Sequence, residues 1–456
     1  MPNISSLEKM RRYFDSGVTR TYKFRIEQLK KLKKRILAHE NELYDALYTD
    51  LKKSPEEAWV TEIGLVIAEL NVAIKNLQQW MEPEPVSTNL VNLPSRSMVM
   101  REPLGVVLII APWNYPMYLL FTPLIGALAA GNCVVLKPGE HAAATASVMQ
   151  KIVSEFEPEY IQYAEGHGEI VVTAMLNDFR FDHIFYTGST AVGKIIYKQA
   201  AEKLVPVTLE LGGKSPCVVA ADASIKVAAR RIAIAKFSNS GQMCVAPDYV
   251  LVHESRKDEL EEALKKSIRQ FFGDKPEESY NYGKIINEGQ FDRITRYLDN
   301  GNIIYGGRST RSQLFIEPTI ITNVQIDSPI MKEEIFGPVL PLLTFSTNEE
   351  AKNIIAKNPN PLAFYVFTSS RRNESDWITS VPAGGVCINN SSWHLTNHHL
   401  PFGGRGTSGM GDYHGRYSFE VFSHRKAIMK TPTWFDPNIK YPPFKGKLKL
   451  FKKIIN

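Results

Sequence analysis

Hydrophobic positions along the chain follow two alternating patterns, short runs of β-branched residues and longer segments with helical spacing. The stretch 103–136 is the clearest case, because it contains no charged residue. Its runs 106–110 and 133–136 predict strands buried on both faces, and the segment 118–130 between them predicts a helix that stops at a glycine. Hydropathy alone would also allow a transmembrane span, but two prolines break the stretch. A buried strand–helix–strand unit is therefore the better interpretation.

The same alternation continues to about residue 272. Strands alternating with helices indicate doubly wound, mostly parallel sheets. The predicted fold class is therefore α/β, with two doubly wound domains that meet near 211–213. The first 80 residues look helical, and 89–101 is expected to form a small protruding hairpin. The predicted strands are 160–164, 183–186, 205–209, 217–220 and 249–253, and the predicted helices are 142–156, 190–203, 224–237 and 257–272.

Composition agrees with a globular protein of two domains. The chain has 456 residues, of which 44% are hydrophobic and 22% charged, and it is too long for one ordinary core. Its four cysteines have no spacing typical of a metal site or a redox pair, and so few thiols suit a reducing compartment better than a disulfide scaffold. The N-terminus has no apolar stretch of the signal-peptide type. We therefore expect a cytoplasmic protein.

Two short segments contain groups suited to acyl chemistry. Cys244 stands among small residues, and Glu210 stands shortly before a pair of glycines. A thiolate can attack a carbonyl carbon, and a carboxylate can later activate water to release the acyl group. Most cysteines are simply small buried hydrophobes. Cys133, Cys217 and Cys387 lie in apolar strand-like runs and are therefore expected to be core residues.

The segment 186–193 has the features of a phosphate-binding turn. It follows a predicted strand and opens a predicted helix, whose free backbone amides favour an anion. Its glycine spacing differs from the G-x-G-x-x-G dinucleotide pattern, and Ile195 stands where a P-loop needs Ser or Thr for magnesium. The pattern therefore argues against an NTPase. Lys137 and Glu140 also follow a predicted strand, and ligands bind beyond such strand ends in open parallel sheets.

Six segments occur in an order that carries a family resemblance: 111–116, 210–216, 241–249, 333–338, 400–404 and 409–415. Together they resemble the aldehyde dehydrogenase superfamily along nearly the whole chain. The last segment is particularly similar to the class-3 branch, which includes fatty-aldehyde dehydrogenases. Met243 stands where Thr is more usual, and Gly139 stands where a small polar residue is common. Neither departure removes a reacting group, but each could alter substrate or cofactor preference.

The resemblance implies NAD(P)-dependent oxidation of an aldehyde to the carboxylic acid. Cys244 would attack the aldehyde to form a thiohemiacetal, hydride transfer would leave a thioester, and Glu210 would activate the water that releases the acid. The Asn114 side chain and the Cys244 backbone amide would stabilise the oxyanion. The remaining implied site residues are Lys137 and Glu140 at the adenosine ribose, Gly188, Ser189 and Gly193 at the pyrophosphate, Glu334 at the nicotinamide ribose with Phe336 alongside, and Phe402 in the substrate funnel.

The resemblance also implies domain roles, cofactor and oligomeric state. Residues 1–88 and 102–209 would bind the cofactor, 210–393 would be the catalytic domain, and 89–101 with 394–456 would form an oligomerisation hairpin and a C-terminal arm. Class-3 relatives are dimers, so a homodimer is expected. The cofactor is NAD, NADP or both, because a glutamate at the ribose should repel a 2′-phosphate whereas the neighbouring lysine could accept one. The substrate is expected to be a medium- or long-chain aliphatic aldehyde or an aromatic one.

Several alternatives remain at this stage. A CoA-acylating relative would pass the acyl group to a thiol and would not need Glu210, and an inactive structural homologue would not need Cys244, Glu210 and Asn114 together. Asn114 could also cap the following helix. Three histidines between 394 and 399 suggest a metal, but no cysteine or nearby carboxylate completes a ligand set. We therefore expect no metal and place these histidines at the substrate entrance. Nucleic acid is not an expected partner.

The C-terminal residues 425–456 are strongly basic. They carry nine basic residues and one acid, a net charge of +8 against +6 for the whole chain. Phe444, Leu448, Phe451 and Ile455 form an apolar stripe at helical spacing, although a glycine within the segment weakens a helix. Such a tail either lies on an anionic membrane surface or packs on its own dimer. The expected location is cytoplasmic, with peripheral contact at the inner face of a membrane as the alternative.

Overall fold

The computed structural model describes residues 3–455 and has the expected α/β fold, with two sheets of mostly parallel strands. In the first sheet, only the short edge strand runs antiparallel to its neighbour. Its strands Val106–Ile110 and Cys133–Lys137 are buried along their whole length, as strands covered on both faces should be. In order across this sheet, the strands are Gly409–Met410, Val207–Leu211, His183–Gly188, Val106–Ile110, Cys133–Lys137 and Ile161–Tyr163.

The second sheet has seven strands, and the chain enters it just after the last long strand of the first sheet. Only the edge strand Asn302–Tyr305 is antiparallel to its neighbour. In order across the sheet, the strands are Asn302–Tyr305, Thr319–Thr322, Val339–Phe345, Tyr249–His253, Pro216–Val219, Ala363–Phe367 and Gly385–Ile388. A separate two-stranded ribbon pairs Ser309–Thr310 with Phe315–Ile316.

Helices precede the first sheet and fill most connections between strands. The helix Pro116–Ala130 is buried at every residue, because the helices Tyr22–Ala38 and Gly64–Met81 pack on the side that the sheet leaves open. The longer helices are Ile4–Asp15, Tyr22–Ala38, Glu40–Leu51, Gly64–Met81, Pro116–Ala130, Ala143–Val153, Gly168–Asp178, Thr190–Glu202, Ile225–Phe237, Lys257–Phe272, Glu288–Thr295, Asn348–Ala356, Arg371–Ser380, Arg416–Val421 and Leu448–Ile455.

Most predicted elements agree with the structure to within a few residues. The strand Tyr249–His253 and the helix Lys257–Phe272 have the predicted bounds. The helix Gly168–Asp178 is present but was not predicted. It begins at a glycine, and no side chain caps its start, so the usual sequence signal for a helix N-terminus is missing.

The hairpin differs from the prediction of 89–101. Its strands are Glu84–Val86 and Arg96–Pro103, so it begins five residues earlier. The strand Ser423–Lys430 completes a three-stranded sheet by pairing with Arg96–Pro103 over eight residue pairs. This long-range partner explains why the middle strand is longer than the local sequence suggests.

Elements of the segment 394–456 pack in more than one part of the molecule. The strand Gly409–Met410 joins the first sheet, and the helix Arg416–Val421 packs on the helix Pro116–Ala130. The two helices approach so closely that a Cβ on Gly126 would lie 2.6 Å from the Ser418 oxygen. The part of this segment that pairs with the hairpin begins at the strand Ser423–Lys430.

The tail ends in a short helix, Leu448–Ile455, which lies against the turn of the hairpin near residues 90–92. Phe444 lies outside this helix, yet its ring packs on Phe451 with 5.8 Å between centroids. Gly446 lies between them with φ +86°, a left-handed conformation that interrupts the helix. The apolar stripe predicted for 444–455 therefore does not lie on one continuous helix. Among residues 3–455, no helix is both long and apolar enough to cross a membrane.

Candidate active site

Cys244 lies on a tight loop that follows the helix Ile225–Phe237. Three consecutive residues of this loop, Asn239, Ser240 and Gly241, have left-handed φ angles of 50°, 51° and 73°. A Cβ on Gly241 would lie 2.3 Å from the carbonyl oxygen of Gly337, so glycine is required for this close approach. Hydrogen bonds of Gln242 to Asn239, Lys284 and Ile286 hold the loop in place.

Two cavities meet at Cys244. The larger has a volume of about 530 Å³ and is mostly apolar, and the smaller has a volume of about 280 Å³. Leu119, Cys244, Phe402 and Tyr413 line both of them. A molecule in either cavity can therefore reach the thiol of Cys244.

Glu210 faces the smaller cavity from the end of the strand Val207–Leu211. Its side chain is buried, and neither carboxylate oxygen has a hydrogen-bond partner among the described residues. Burial and then the nearby Asp412 carboxylate raise the pKa of Glu210 well above its ordinary value. A carboxyl group without a protein partner is available to bind water, and a raised pKa makes its ionised form a stronger base.

The thiol of Cys244 is in an environment that disfavours its anion. Burial, followed by the charges of Glu334 and Glu210, raises its pKa to about 12. Its own backbone amide and that of Val245 oppose this shift. Cys244 is therefore protonated at neutral pH and needs a proton acceptor before it can attack a carbonyl carbon.

Asn114 lies between the strand Val106–Ile110 and the helix Pro116–Ala130 and lines the smaller cavity. Its Nδ2 donates a hydrogen bond of 3.1 Å to the Gln242 carbonyl oxygen. Asn114 does not cap the helix, because Tyr115 is the N-cap residue and Glu62 accepts from the first free amides. The second N–H of the Asn114 amide is thus available to a ligand beside Cys244.

Gly188 and Ser189 line the smaller cavity where the strand His183–Gly188 leads into the helix Thr190–Glu202. A Cβ on Gly188 would lie 2.3 Å from the hydroxyl oxygen of Tyr186. Gly193 does not line the cavity. It faces Tyr186 and Leu211, and a Cβ on it would lie 2.7 Å from a Leu211 methyl carbon. Its position therefore indicates close helix–sheet packing.

Lys137 and Glu140 lie together but line neither cavity. The Lys137 Nζ donates to the Pro138 carbonyl oxygen at 2.6 Å and to Glu140 at 3.2 Å. Glu140 also accepts from the backbone amide of Gly168. A Cβ on Gly139 would lie 2.8 Å from the backbone of Pro112, so the absence of a side chain at 139 lets the two loops approach.

Glu334 lines the smaller cavity with its carboxylate against Gly212, where a Cβ would lie 1.9 Å from Oε2. Burial and the Asp248 charge raise the pKa of Glu334 to about 8. Phe336 lies beside it and packs edge-to-face on Trp113 with 5.5 Å between centroids. This part of the cavity combines a carboxylate with aromatic walls.

Phe402 forms one wall of the larger cavity. Its ring stacks on His414 at 5.1 Å with an interplanar angle of 13°, and the His414 Nε2 lies 3.1 Å from the Tyr118 hydroxyl. His394 contacts Cys387 and Phe402. Cys133, Cys217 and Cys387 are buried as expected. Within residues 3–455, no cluster of His, Cys, Asp or Glu side chains has a metal-binding arrangement.

The structure adds residues that the sequence analysis did not single out. Arg293 lines the smaller cavity and donates to the carbonyl oxygens of Glu334 and Ile335. Tyr413 lines both cavities, and its backbone forms an isolated antiparallel β-bridge with Phe402. Arg293 belongs to no recognised segment, whereas Tyr413 lies in the segment 409–415 and could have been selected from it. Only folding brings Arg293 to the site.

Comparison with known proteins identifies the family. The sequence profile of the aldehyde dehydrogenase family matches residues 6–428, so the chain belongs to that family and is an aldehyde dehydrogenase. Among curated proteins, 4,4'-diaponeurosporen-aldehyde dehydrogenase of Staphylococcus aureus is 46% identical, over 96% of each chain. Aldehyde dehydrogenase family 3 member H1 of Arabidopsis thaliana is 44% identical, over 98% of this chain and 94% of its own. These relatives agree with the class-3 branch.

Solved structures agree with this assignment. The substrate-bound state of Staphylococcus aureus AldH is 44% identical and superposes with a TM-score of 0.97, covering 100% of both chains. An indole-3-acetaldehyde dehydrogenase complexed with NAD+ is 28% identical, with a TM-score of 0.84 over 94% of this chain and 88% of its own. NAD is therefore a cofactor used within the family.

Proposed function

We propose that this protein oxidises an aldehyde to the carboxylic acid through a covalent thioester on Cys244, with NAD(P) as the hydride acceptor. The observation that carries the proposal is the position of Cys244 where two cavities meet. An aldehyde in the larger, apolar cavity and a cofactor in the smaller one would both reach its sulfur. Glu210 and Asn114 face the smaller cavity beside it.

The chain's own groups account for most of the chemistry. Cys244 first loses its thiol proton to solvent water, and its sulfur then adds to the aldehyde carbon. The resulting oxyanion is held by the Asn114 side-chain amide and the Cys244 backbone amide. A nicotinamide bound in the smaller cavity would supply the acceptor for the hydride of the former aldehyde carbon. Glu210 then takes a proton from water, which attacks the thioester and releases the acid and the thiol.

The smaller cavity suits the nicotinamide and pyrophosphate part of a dinucleotide. Ser189 starts the helix Thr190–Glu202 and bonds only weakly to the Val192 amide at 3.4 Å, so the helix start can receive a phosphate. Glu334 would bind the nicotinamide ribose, with Phe336 beside the ring. We propose that Gly188 and Ser189 lie at the pyrophosphate and that Gly193 acts by packing the helix.

We propose NAD as the preferred cofactor and NADP as the second. Lys137 would face the adenosine ribose, but its ammonium is already bound to Pro138 and Glu140. The Glu140 carboxylate is one-third exposed and would repel a 2′-phosphate. Residues 1–88 and 102–209 would form the cofactor domain, and 210–393 the catalytic domain.

We propose a medium- or long-chain aliphatic aldehyde, or an aromatic one, as the substrate. The larger cavity has walls of apolar and aromatic residues, including Leu119, Phe271, Trp393 and Phe402. Met243 lines it next to Cys244, and its flexible side chain adapts to apolar shapes. The name of the Staphylococcus aureus relative, which refers to a diaponeurosporen-aldehyde, supports the same class.

The test is to incubate the protein with an aldehyde and NAD and to follow both NADH and the carboxylic acid. Cys244→Ala should abolish NADH formation, whereas Cys387→Ala, which removes a buried thiol outside both cavities, should leave it nearly unchanged. A Cys244→Ala protein with near wild-type activity would overturn the proposal. Acid formation without added CoA separates the hydrolytic reaction from the CoA-acylating alternative.

We further propose a homodimer formed through the three-stranded sheet. Val86, Leu90, Leu93 and Met429 on this sheet and its turn are exposed apolar residues, and a second copy would cover them. The basic tail is a separate proposal. Its terminal helix exposes Leu448 and Ile455 among lysines, which suits peripheral contact with an anionic membrane surface.

A further inference from the structure

A buried ion pair lies behind Asn114 and lines neither cavity. The side chains of Lys53 and Glu62 are both fully buried, and the Lys53 Nζ lies 2.6 Å from the Glu62 Oε1. The same ammonium lies 3.9 Å from the centre of the Tyr115 ring. The reaction proposed above gives this pair no chemical role.

The pair holds the chain on both sides of Asn114. The Lys53 Nζ donates a hydrogen bond of 3.1 Å to the Asn114 carbonyl oxygen. The Glu62 Oε2 accepts from the amides of Met117 and Tyr118, at 2.9 and 3.2 Å, where the helix Pro116–Ala130 begins. The backbone at residue 114 is therefore fixed relative to the following helix.

The same backbone is tied to the loop that carries Cys244. The Asn239 Nδ2 donates to the carbonyl oxygens of Asn114 and Gln242, at 2.8 and 3.1 Å, and the Asn114 Nδ2 donates to the Gln242 carbonyl oxygen. The backbone that carries the proposed oxyanion donor Asn114 thus belongs to one hydrogen-bond network with Asn239 and Gln242 of the loop that leads to Cys244. A shift of the Asn114 backbone would move its side-chain amide relative to the loop that carries Cys244.

Stability alone gives little reason for a charged pair at this place, because the desolvation of two buried charges offsets most of their attraction. We propose that Lys53 is a positioning residue that orients the oxyanion donor Asn114 and does not itself touch the substrate. This inference rests on the proposed function. Because a displacement of about 1 Å near the chemistry can lower a rate about 100-fold, removal of the pair should have a kinetic effect beyond its effect on folding.

The test uses Lys53→Met/Glu62→Gln, which removes both charges of the pair with side chains of similar size. We expect the pre-steady-state rate of NADH formation to fall about 10- to 100-fold, with the aldehyde concentration needed for half-saturation changed less than about twofold. Arg25→Met is the matched control. Arg25 is also buried and bonds the Ala129 carbonyl oxygen at the other end of the same helix, so its loss should lower stability and leave the burst rate unchanged.

A double-mutant cycle with Asn114→Ala tests whether Lys53 acts through Asn114. In the Asn114→Ala background, the further loss of the pair should change the burst rate less than about twofold, because the oriented group is already absent. An equal fold-loss in both backgrounds, or a wild-type burst rate in Lys53→Met/Glu62→Gln, would overturn the inference. If that variant folds poorly, Lys53→Met enters the same cycle, since burial raises the pKa of Glu62 and favours its neutral form. Loss of NADH formation in Cys244→Ala, measured alongside, keeps the proposed function distinct from this result.

Discussion

Glu334 provides the sharpest test of the proposed cofactor site, because its protonation state should control NAD binding. Its carboxyl group is held against Gly212, and burial followed by the Asp248 charge raises its pKa to about 8. The Gly213 amide, Lys214 and Arg293 oppose the shift. Ribose hydroxyls donate hydrogen bonds to a carboxylate, so NAD should bind the ionised form.

The size of the effect follows from the pKa. With a value of about 8, about 1 in 100 Glu334 side chains is ionised at pH 6 and about 9 in 10 at pH 9. If NAD binds only the carboxylate, its affinity rises about 100-fold over this range, equivalent to about 2.7 kcal/mol. The folding stability of the protein without cofactor should change with pH in the opposite direction to the NAD affinity. A folded-state pKa above the ordinary 4.5 means that stability falls as pH rises from 4.5 to about 8.

Calorimetric titration with NAD between pH 6 and 9 measures this dependence without any aldehyde. Glu334→Gln should bind NAD with an affinity that is nearly independent of pH. Glu333→Gln is the matched control, because Glu333 is the exposed neighbouring carboxylate and accepts from the Tyr297 hydroxyl. A flat wild-type affinity, or an equal rise in Glu334→Gln, would refute the placement of Glu334 at the ribose.

Two further predictions concern the second half-reaction and the surface of the molecule. Glu210→Gln should give a burst of NADH followed by turnover slowed about 100-fold or more, because the base is required after hydride transfer; rapid mixing measures both phases, and a missing burst would assign Glu210 to deprotonation of Cys244 instead. The full chain should sediment as a dimer at micromolar concentration, and deletion of 444–456 should reduce cosedimentation with anionic vesicles at low salt without dissociating the dimer. A monomer, or full-length protein that ignores vesicles, would contradict the respective proposal.

Much of the fold was predictable because its signals are local. The uncharged stretch 103–136 shows strand, helix and strand by composition alone, and the structure confirms all three elements. The middle strand of the hairpin runs past the predicted end at 101 because it pairs with Ser423–Lys430, a segment more than 300 residues away. The same reason applies to Gly409–Met410, which completes the first sheet from a segment predicted to belong to the arm.

For the candidate site too, some features were predictable from local sequence and others depended on the tertiary structure. Sequence by itself determined the α/β class and the family and indicated Cys244 and Glu210 as candidate reacting groups, because these depend on residue type and on nearest neighbours. Tertiary structure alone decided that two cavities meet at Cys244, that Gly193 packs a helix, and that Lys53 and Glu62 hold Asn114 from behind. Burial, carboxylate pKa values and hydrogen bonds depend on which distant segments surround a group, and the order of residues along the chain does not specify that surrounding until the chain has folded.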